Sequence, residues 1–238
     1  MMRRGGGRPP RAHAMRPYQS QPPNPHSRIF PMTVDFSLYL ITDRRQVHGG
    51  KGLVEAVGRA LDGGVRAVQL REKDLTAAEL YPLARELREL TRSFEARLLI
   101  NDRVDLALAV EADGVHLGGH SLPVSVVRRL LGPDKLLGVS THRCEEILAS
   151  ARAGADFVTF GPVWYTPSKA AFGEPAGLEK LRQACAASPL PVFALGGVTA
   201  ERISEVLAAG AAGAGVISAL LSDSDPADAA ADLLFRLN

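Results

Sequence analysis

The stretch LLINDRVDLALAVEADGVHLGGHS, residues 98–121, contains one complete example of the pattern that decides the fold. Two apolar runs within it, 98–100 and 115–117, are joined by an amphipathic segment. The first run ends at Asn101 and Asp102, and the second is followed by the polar tetrapeptide GGHS. This order predicts strand, polar loop, helix, strand and polar loop, which is the unit of a parallel sheet. Sites in such sheets lie at the carboxyl ends of the strands.

The same unit recurs outward from this stretch and predicts eight strands, each followed by a helix. The predicted strands are 37–41, 66–70, 97–100, 114–117, 136–139, 157–160, 191–195 and 215–217. The strands are short and apolar, as expected when helices cover the sheet. Eight such units favour a single-domain α/β fold, the closed (β/α)8 TIM barrel. An open doubly wound sheet is the alternative.

Composition limits the remaining classes of protein. The chain has 238 residues, 46% of them hydrophobic, and a net charge of only +2, so we expect no nucleic-acid partner. No apolar run approaches the ~18 residues of a membrane span. Two cysteines and no secretory signal pattern favour a reduced, cytoplasmic protein. Residues 1–34, rich in Arg, Pro and Gly, are predicted to be a disordered extension, with the catalytic barrel at 35–238.

Residues after the predicted strands indicate phosphate binding. Arg71, Lys73 and Lys169 are cations that gather near strand ends, where they can hold an anionic ligand. The Gly196-Gly197 pair and Ile217-Ser218 follow the last two strands, where free backbone amides favour a phosphate. A tight turn is the alternative for the glycine pair. Small phosphorylated molecules are therefore the expected ligands.

Three other polar residues are candidates for more specialised roles. Asp102 can carry Mg²⁺ because this ion prefers oxygen ligands and often bridges to phosphates. Capping of the next helix or pairing with Arg103 is the alternative. His142 can act as an acid or base near neutral pH. His116 lies within a predicted strand, and we expect it to be a packed histidine rather than a ligand.

Eight strings taken in order resemble one known family. They are LYLITD (38–43), VQLREK (68–73), LLINDRVDLAL (98–108), DGVHLG (113–118), GVSTH (138–142), FGPVWYTPSK (160–169), ALGGVT (194–199) and GVISA (215–219). These strings are similar to thiamine-phosphate synthases and to their relatives, the thiazole tautomerases of the TenI type. The resemblance also implies a TIM barrel.

The resemblance implies a transferase that joins a hydroxymethylpyrimidine diphosphate to a thiazole phosphate and releases pyrophosphate. It implies Mg²⁺ at Asp102 and catalytic roles for Arg71, Lys73, Ser140 and Lys169. The implied pyrimidine diphosphate site is Gln69, Leu70, Arg71, Glu72, Lys73, Asn101, Ser140 and Lys169. The implied thiazole phosphate site is Thr166, Pro167, Ser168, Gly197, Ile217 and Ser218.

The sequence departs from the synthase pattern at Ser121, where synthases usually carry an aspartate that is a second Mg²⁺ ligand. A hydroxyl is a weaker ligand, although a water molecule can take its place. The alternative is a metal-free tautomerase that moves a proton with His142. The complete QLREK string and Asp102 favour the synthase, because a tautomerase has no diphosphate to bind. A non-catalytic phosphate-binding barrel is a remote alternative, and homo-oligomerisation is left open.

Overall fold

Eight parallel strands form a closed barrel in the computed structural model, which describes residues 34–166 and 174–238. Each strand pairs with its neighbour along the chain, and β1 also pairs with β8, which closes the ring. The predicted (β/α)8 TIM barrel is confirmed. The strands are β1 (Leu38–Ile41), β2 (Ala67–Leu70), β3 (Arg97–Asn101), β4 (Gly114–Leu117), β5 (Leu136–Thr141), β6 (Phe157–Phe160), β7 (Val192–Leu195) and β8 (Gly213–Val216).

Helices connect the strands and cover the outside of the barrel. Within the described ranges they are α1 (Leu53–Asp62), α2 (Ala77–Ser93), α3 (Val104–Ala109), α4 (Val124–Leu131), α5 (Cys144–Arg152), α6 (Gly177–Ala187), α7 (Ile203–Ala208), α8 (Ser218–Leu221) and α9 (Pro226–Leu237). α2 begins with a capping box in which Thr76 and Glu79 bind each other's backbone amides. α8 is a short helix that the sequence pattern did not predict, because its single turn is too short for a periodic signal.

Alternation of side chains along the strands produces two apolar clusters. Tyr39, Leu99, Phe157 and Phe193 belong to the cluster whose members lie on the inward-facing strand positions. The larger cluster lies between the strands and the helices. Full burial of one such large side chain stabilises the fold by about 1.5–3 kcal/mol. The barrel is therefore a packed core, and in this fold a ligand binds at the carboxyl end of the strands.

Two strands extend further than the sequence predicts, and both extensions include site residues. β5 continues through Ser140 and Thr141, which pair with Thr159 and Phe160 of β6. β3 continues to Asn101, which pairs with His116. The prediction ended these strands at the first polar residue. The hydrogen-bonded ladder continues because backbone pairing with the neighbouring strand does not require an apolar side chain.

The last strand begins and ends earlier than predicted. β8 covers Gly213–Val216, so Ile217 lies just past its end rather than within it. Gly213 has no apolar side chain from which the start of a strand could be predicted. A Cβ at this position would come within 2.1 Å of the Ser37 carbonyl oxygen. The close approach of β1 therefore requires glycine at the start of β8.

Two arginine–aspartate pairs brace the amino-terminal end of the barrel. Arg88 of α2 lies 2.6 Å from Asp113, which also accepts a hydrogen bond from the Leu98 amide. Arg128 of α4 lies 2.5 Å from Asp156, which accepts one from the Leu137 amide in the same way. Each pair ties a helix to the start of two strands.

Two expectations concern parts of the chain other than the barrel. The extension predicted over 1–34 lies outside the described residues apart from Val34, so its disorder and the division at residue 35 stay predictions. Among the helices that the structure describes, none is both long and apolar enough to cross a membrane.

Candidate active site

Polar residues converge at the carboxyl end of the barrel because neighbouring strands are parallel and paired in register. Gln69 and Asn101 lie at the ends of β2 and β3, and Ser140 lies near the end of β5. Gly197 and Ser218 follow β7 and β8, which are adjacent in the barrel. The structure therefore brings residues of both predicted substrate sites to the same rim.

The residues of the string QLREK have different roles in the structure. Some can face a ligand at the rim, and others are buried and hold the neighbouring elements in place. Gln69 is 1% exposed and donates a hydrogen bond to the Tyr39 hydroxyl at 2.9 Å. The Leu70 side chain belongs to the apolar layer under the helices, so only its backbone is available to a ligand. The carboxylate of Glu72 is also buried, and it accepts hydrogen bonds from the Thr42 hydroxyl (2.7 Å) and the Arg44 guanidinium (3.0 Å). Glu72 therefore anchors the loop after β1.

Arg71 and Lys73 supply positive charge that no carboxylate pairs with directly in the part of the chain that the structure describes. Burial lowers the pKa of the Arg71 guanidinium, although the Asp43 and Glu72 carboxylates oppose that change. Burial and the Arg71 charge likewise lower the pKa of Lys73, against the opposing charge of Asp102. Both cations would gain from an anion, and a diphosphate supplies one.

Asp102 is an exposed carboxylate held in an unusual backbone conformation. Its φ angle is +67°, in the left-handed region that non-glycine residues seldom occupy. The Asp102 amide donates to the His116 carbonyl at 2.9 Å, which fixes this conformation. The carboxylate makes no hydrogen bond within 34–166 and 174–238. Strain of this kind is often retained where it positions a functional group.

The donor set at this edge fits a Mg²⁺ ion held mainly by substrate and water. Among the described residues, no three His, Cys, Asp or Glu side chains are grouped as a metal site. The Ser121 hydroxyl accepts a hydrogen bond from the Gly118 amide at 2.8 Å, so it closes the loop after β4. One carboxylate, water and phosphate oxygens are sufficient, because Mg²⁺ usually keeps several waters and uses one or two carboxylates.

The glycine pair after β7 is packed against the loop after β6. Both glycines have positive φ, and a Cβ on Gly197 would lie 2.7 Å from the Trp164 Cβ. The Arg202 guanidinium donates to the Gly197 carbonyl at 2.5 Å and lies over the Trp164 ring at 4.9 Å. The Gly197 carbonyl is thus turned toward Arg202. Its amide remains free of any partner in the described part of the chain and can bind a phosphate oxygen.

His142 lies at the same rim with one ring nitrogen occupied. Its Nδ1 is in close contact with the Gly161 carbonyl oxygen, which can only accept a hydrogen bond. Nδ1 therefore carries the proton, and Nε2 is left as a potential base. The amide of His142 donates to Glu146 at 2.7 Å and fixes the position of the residue.

Three predicted site residues lie outside the described residues. They are Pro167 and Ser168 of the predicted thiazole phosphate site and Lys169 of the predicted pyrimidine diphosphate site. Thr166 is described, and its hydroxyl oxygen is buried without a hydrogen-bond partner among the residues that surround it in the described structure. A ligand oxygen or amide could supply that partner.

Sequence reasoning missed the hydrogen bonds beneath the rim. His116 is 2% exposed, as expected for a packed histidine, but its Nε2 lies 3.0 Å from the Ser140 hydroxyl oxygen. Its Nδ1 lies 3.4 Å from the Tyr39 hydroxyl oxygen. The available signal was the strand alternation, which places Tyr39, Gln69 and His116 on inward-facing positions.

Comparison with known proteins identifies the family of this chain. A family model described as thiamine monophosphate synthase matches residues 38–220. The chain belongs to the thiamine-phosphate synthase family. A relative from Geobacter sulfurreducens is 58% identical over 204 residues, which are 86% of this chain and 95% of the relative. A thiamine-phosphate synthase from Desulfitobacterium hafniense strain Y51 is 47% identical over 203 residues, or 85% of this chain and 98% of that protein.

This member of the thiamine-phosphate synthase family also resembles a solved structure in its three-dimensional fold. The thiamine phosphate pyrophosphorylase of Pyrococcus furiosus superposes with a TM-score of 0.77 and is 38% identical. The match covers 84% of this chain and 95% of that one. Proteins that carry the synthase name are transferases of thiamine biosynthesis, so the chain is a member of a transferase family.

Proposed function

We propose that this chain condenses 4-amino-2-methyl-5-hydroxymethylpyrimidine diphosphate with a thiazole phosphate to give thiamine phosphate and pyrophosphate. The observation that carries the proposal is the placement of two cations, Arg71 and Lys73, near each other, with Lys73 also near Asp102. Neither cation has a directly paired carboxylate among the described residues. These groups suit a diphosphate leaving group. Loops seven and eight, at Gly197 and Ser218, suit the single phosphate of the second substrate.

The proposed reaction exchanges one bond at the pyrimidine methylene carbon. The carbon–oxygen bond to the diphosphate breaks, and the diphosphate leaves with both electrons. The electron-rich aminopyrimidine stabilises the cation that results. The thiazole nitrogen then donates its lone pair to form the new carbon–nitrogen bond. No strong base is required, so the chain contributes by positioning the reactants and stabilising the departing charge.

We assign the leaving group to the cations and to Ser140. Arg71 and Lys73 neutralise the developing negative charge, and Lys169 joins them in this proposal. The Ser140 hydroxyl, which lies near the end of β5, donates a hydrogen bond toward the substrate. Gln69 and Asn101 orient the pyrimidine from the ends of the two preceding strands.

We further propose that Asp102 holds Mg²⁺ against the diphosphate. When bound, Mg²⁺ supplies positive charge that stabilises the leaving group. Asp102 fits this role because its carboxylate has no hydrogen bond in the described ranges and its backbone is held in place by His116. Ser121, already engaged with Gly118, would contribute at most through a water molecule.

The test is an assay of the purified chain with both substrates, with Mg²⁺ or with EDTA. Thiamine phosphate and pyrophosphate should form in equal amounts, and EDTA should abolish their formation. Absence of thiamine phosphate in the presence of Mg²⁺ would contradict the proposed function. Formation that is insensitive to EDTA would contradict only the role of Mg²⁺ at Asp102.

A second candidate, thiazole tautomerase activity, is favoured by one observation. Nε2 of His142 is left free by the contact of Nδ1 with the Gly161 carbonyl, and a free imidazole nitrogen can move a proton. The same preparation should then be given the thiazole carboxylate tautomer alone, without metal. Aromatisation that is lost in His142→Asn would support this activity, and equal rates in the two proteins would exclude His142 as its base.

We also propose where the protein is located and which kinds of molecule it binds. A cytoplasmic location is consistent with Cys144 and Cys185, which are both free thiols. Burial raises the pKa of the Cys185 thiol to about 11, so this thiol is protonated and unreactive at neutral pH. Small phosphorylated molecules are the proposed ligands, without a nucleic-acid or membrane partner.

A further inference from the structure

A chain of polar side chains crosses the barrel interior directly beneath the proposed pyrimidine site. The Gln69 amide donates to the Tyr39 hydroxyl oxygen at 2.9 Å. The Tyr39 hydroxyl oxygen lies 3.4 Å from His116 Nδ1, and His116 Nε2 lies 3.0 Å from the Ser140 hydroxyl oxygen. The first three of these residues are at most 2% exposed. This relay joins Gln69 and Ser140, two residues of the proposed substrate site, through Tyr39 and His116. Tyr39 pairs with Ala67 and His116 pairs with Gly138, so both lie two residues further from the carboxyl rim than Gln69 and Ser140.

The chemistry of the four groups gives the relay a direction. The His116 ring is 2% exposed and packs against Tyr39 and Phe157, and no carboxylate is among its hydrogen-bond partners in the described structure, so we expect a neutral imidazole with one N–H. Tyr39 accepts from the Gln69 amide, which leaves its own proton available for Nδ1 of His116. With that proton directed to Nδ1, the single imidazole proton lies on Nε2 and is donated to Ser140.

The hydroxyl of Ser140 is saturated as an acceptor. It accepts from His116 Nε2 at 3.0 Å and from the Thr159 hydroxyl at 3.4 Å. A serine hydroxyl has two acceptor lone pairs and one proton, so only the proton remains for a ligand. A cavity of about 30 Å³, enough for one water molecule, adjoins Ser140 and Thr159.

Packing holds the histidine ring at the centre of the relay. The His116 ring centroid is 5.7 Å from that of Tyr39 and 5.7 Å from that of Phe157. A Cβ on Gly138 would lie 2.5 Å from His116 Nδ1, so the ring occupies space that only glycine leaves free. The ring therefore cannot turn away from Ser140 without disturbing the interior cluster.

We propose that Tyr39 and His116 are positioning residues that fix Ser140 as a hydrogen-bond donor to the diphosphate substrate. This inference rests on the proposed function, because it assigns the Ser140 proton to the departing diphosphate. A hydroxyl held as a donor stabilises negative charge, whereas a freely rotating one loses part of that effect. At the opposite end of the relay, the Gln69 carbonyl oxygen is left as an acceptor, which suits an exocyclic amino group on the pyrimidine.

The closing experiment is a double-mutant cycle between Tyr39→Phe and Ser140→Ala. Tyr39→Phe keeps the aromatic ring in the interior cluster but removes the proton that directs His116. In the wild-type background we expect kcat to fall about tenfold, with KM for both substrates within about twofold, because only the transition state needs the oriented donor. In the Ser140→Ala background Tyr39→Phe should have no further effect on kcat.

A matched variant separates positioning from packing. Phe193→Leu alters the same interior cluster, where the Phe193 ring lies 6.4 Å from that of Tyr39, but it removes none of the hydrogen-bonding groups of the relay. It should lower the melting temperature and leave kcat within about twofold. His116→Gln, which retains an amide donor, should recover part of the kcat that His116→Phe loses. Equal losses from Tyr39→Phe in the wild-type and Ser140→Ala backgrounds would overturn the proposal, since they would indicate a general structural role.

The imidazole ¹⁵N chemical shifts of His116 test the relay independently of any reaction. We expect a protonated Nε2 and an unprotonated Nδ1 in the intact chain, and a mixture of tautomers in Tyr39→Phe. A proton on Nδ1 in the wild type would reverse the relay and overturn the proposal. If the wild type forms no thiamine phosphate, the proposed function fails and takes the diphosphate assignment with it, while the shifts still decide the hydrogen-bond direction.

Discussion

The two ends of the barrel use arginine in opposite ways. At the amino-terminal end, Arg88 and Arg128 each contact a partly buried aspartate within 2.6 Å. At the carboxyl end, Arg71 is partly buried, and no carboxylate forms an ion pair with it in the described structure. Its pKa is lowered by that burial. A buried charge that has a partner has much of its desolvation cost offset, whereas one without a partner reduces stability until an anion binds.

This difference between the two ends indicates which charged residues are associated with function. Glu72 and Asp43 lie at the carboxyl end too, but their carboxylates are bound by neighbouring groups of the loop after β1. The Asp102 carboxylate has no such hydrogen bond among the described residues, and the φ of +67° at this residue adds local strain. Left-handed backbone also occurs at Glu95 and Glu111, before β3 and β4, so it is the combination with an unbound carboxylate at the carboxyl end of a strand that distinguishes Asp102. The other end has the satisfied charges that stability favours.

Removing the Arg71 charge should produce the largest effect. In Arg71→Met we expect kcat/KM to fall about 1,000-fold, because the diphosphate loses a charged hydrogen-bond donor. The free energy of unfolding should stay the same or rise by up to about 1 kcal/mol, since a buried charge is removed. Steady-state kinetics and urea unfolding measure the two quantities. A large loss of stability would contradict the contrast between the two ends.

The matching change at the amino-terminal end should affect only stability. Arg128→Met leaves the Asp156 carboxylate without its cation and removes hydrogen bonds to the carbonyls of Gly132, Lys135 and Gly154. We expect the free energy of unfolding to fall by about 3 kcal/mol, with kcat/KM unchanged within about twofold. Arg129→Met, an exposed neighbour, is the control and should change neither quantity. Loss of activity in folded Arg128→Met would show that the two ends are coupled.

Asp102→Asn tests whether the strained residue holds a metal. Asparagine tolerates positive φ, so the fold should be retained. The Mg²⁺ concentration for half-maximal activity should rise about tenfold, and kcat should fall by about 10- to 100-fold, because a neutral amide is a poorer Mg²⁺ ligand. Activity is measured across a Mg²⁺ titration. An unchanged Mg²⁺ dependence would remove Asp102 from the metal site.

The smallest expected effect is tighter Mg²⁺ binding when Ser121 is replaced by aspartate. In Ser121→Asp, one carboxylate oxygen can keep the hydrogen bond from Gly118, and the other can face the metal. We expect half-saturating Mg²⁺ to fall about threefold to tenfold. Ser121→Asn has a similar shape without the charge and should show no such shift. If the two variants behave alike, the Ser121 position does not face Mg²⁺.

The barrel could be predicted from the sequence because its repeating unit is strongly patterned. Apolar runs followed by polar loops recur eight times, and each recurrence supports the others. Strand ends were less accurate. Ser140 and Asn101 are polar yet belong to strands, since the backbone ladder continues beneath a polar rim. Gly213 begins β8 because of a close contact with Ser37, which no local pattern reveals.

The site could be predicted in its location but only partly in the role of each residue. Strand-end placement identified Arg71, Lys73 and Asp102. It could not separate Glu72, which is held by Thr42 and Arg44, from its neighbours in the same string. The relay through Tyr39 and His116 depends on contacts between β1 and β4, which are distant in sequence and not adjacent in the barrel. Such a contact appears only after the ring has closed.

The pairing of β1 with β8 has a consequence for synthesis of the chain. β1 leaves the ribosome first and can find its second partner, Gly213–Val216, only when nearly the whole sequence has been translated. Until then an apolar strand edge is exposed, and exposed edges are templates for association between chains. The rim is also incomplete during this interval, because Ser218 follows the last strand. We therefore expect nascent chains to depend on chaperones more than the finished barrel does.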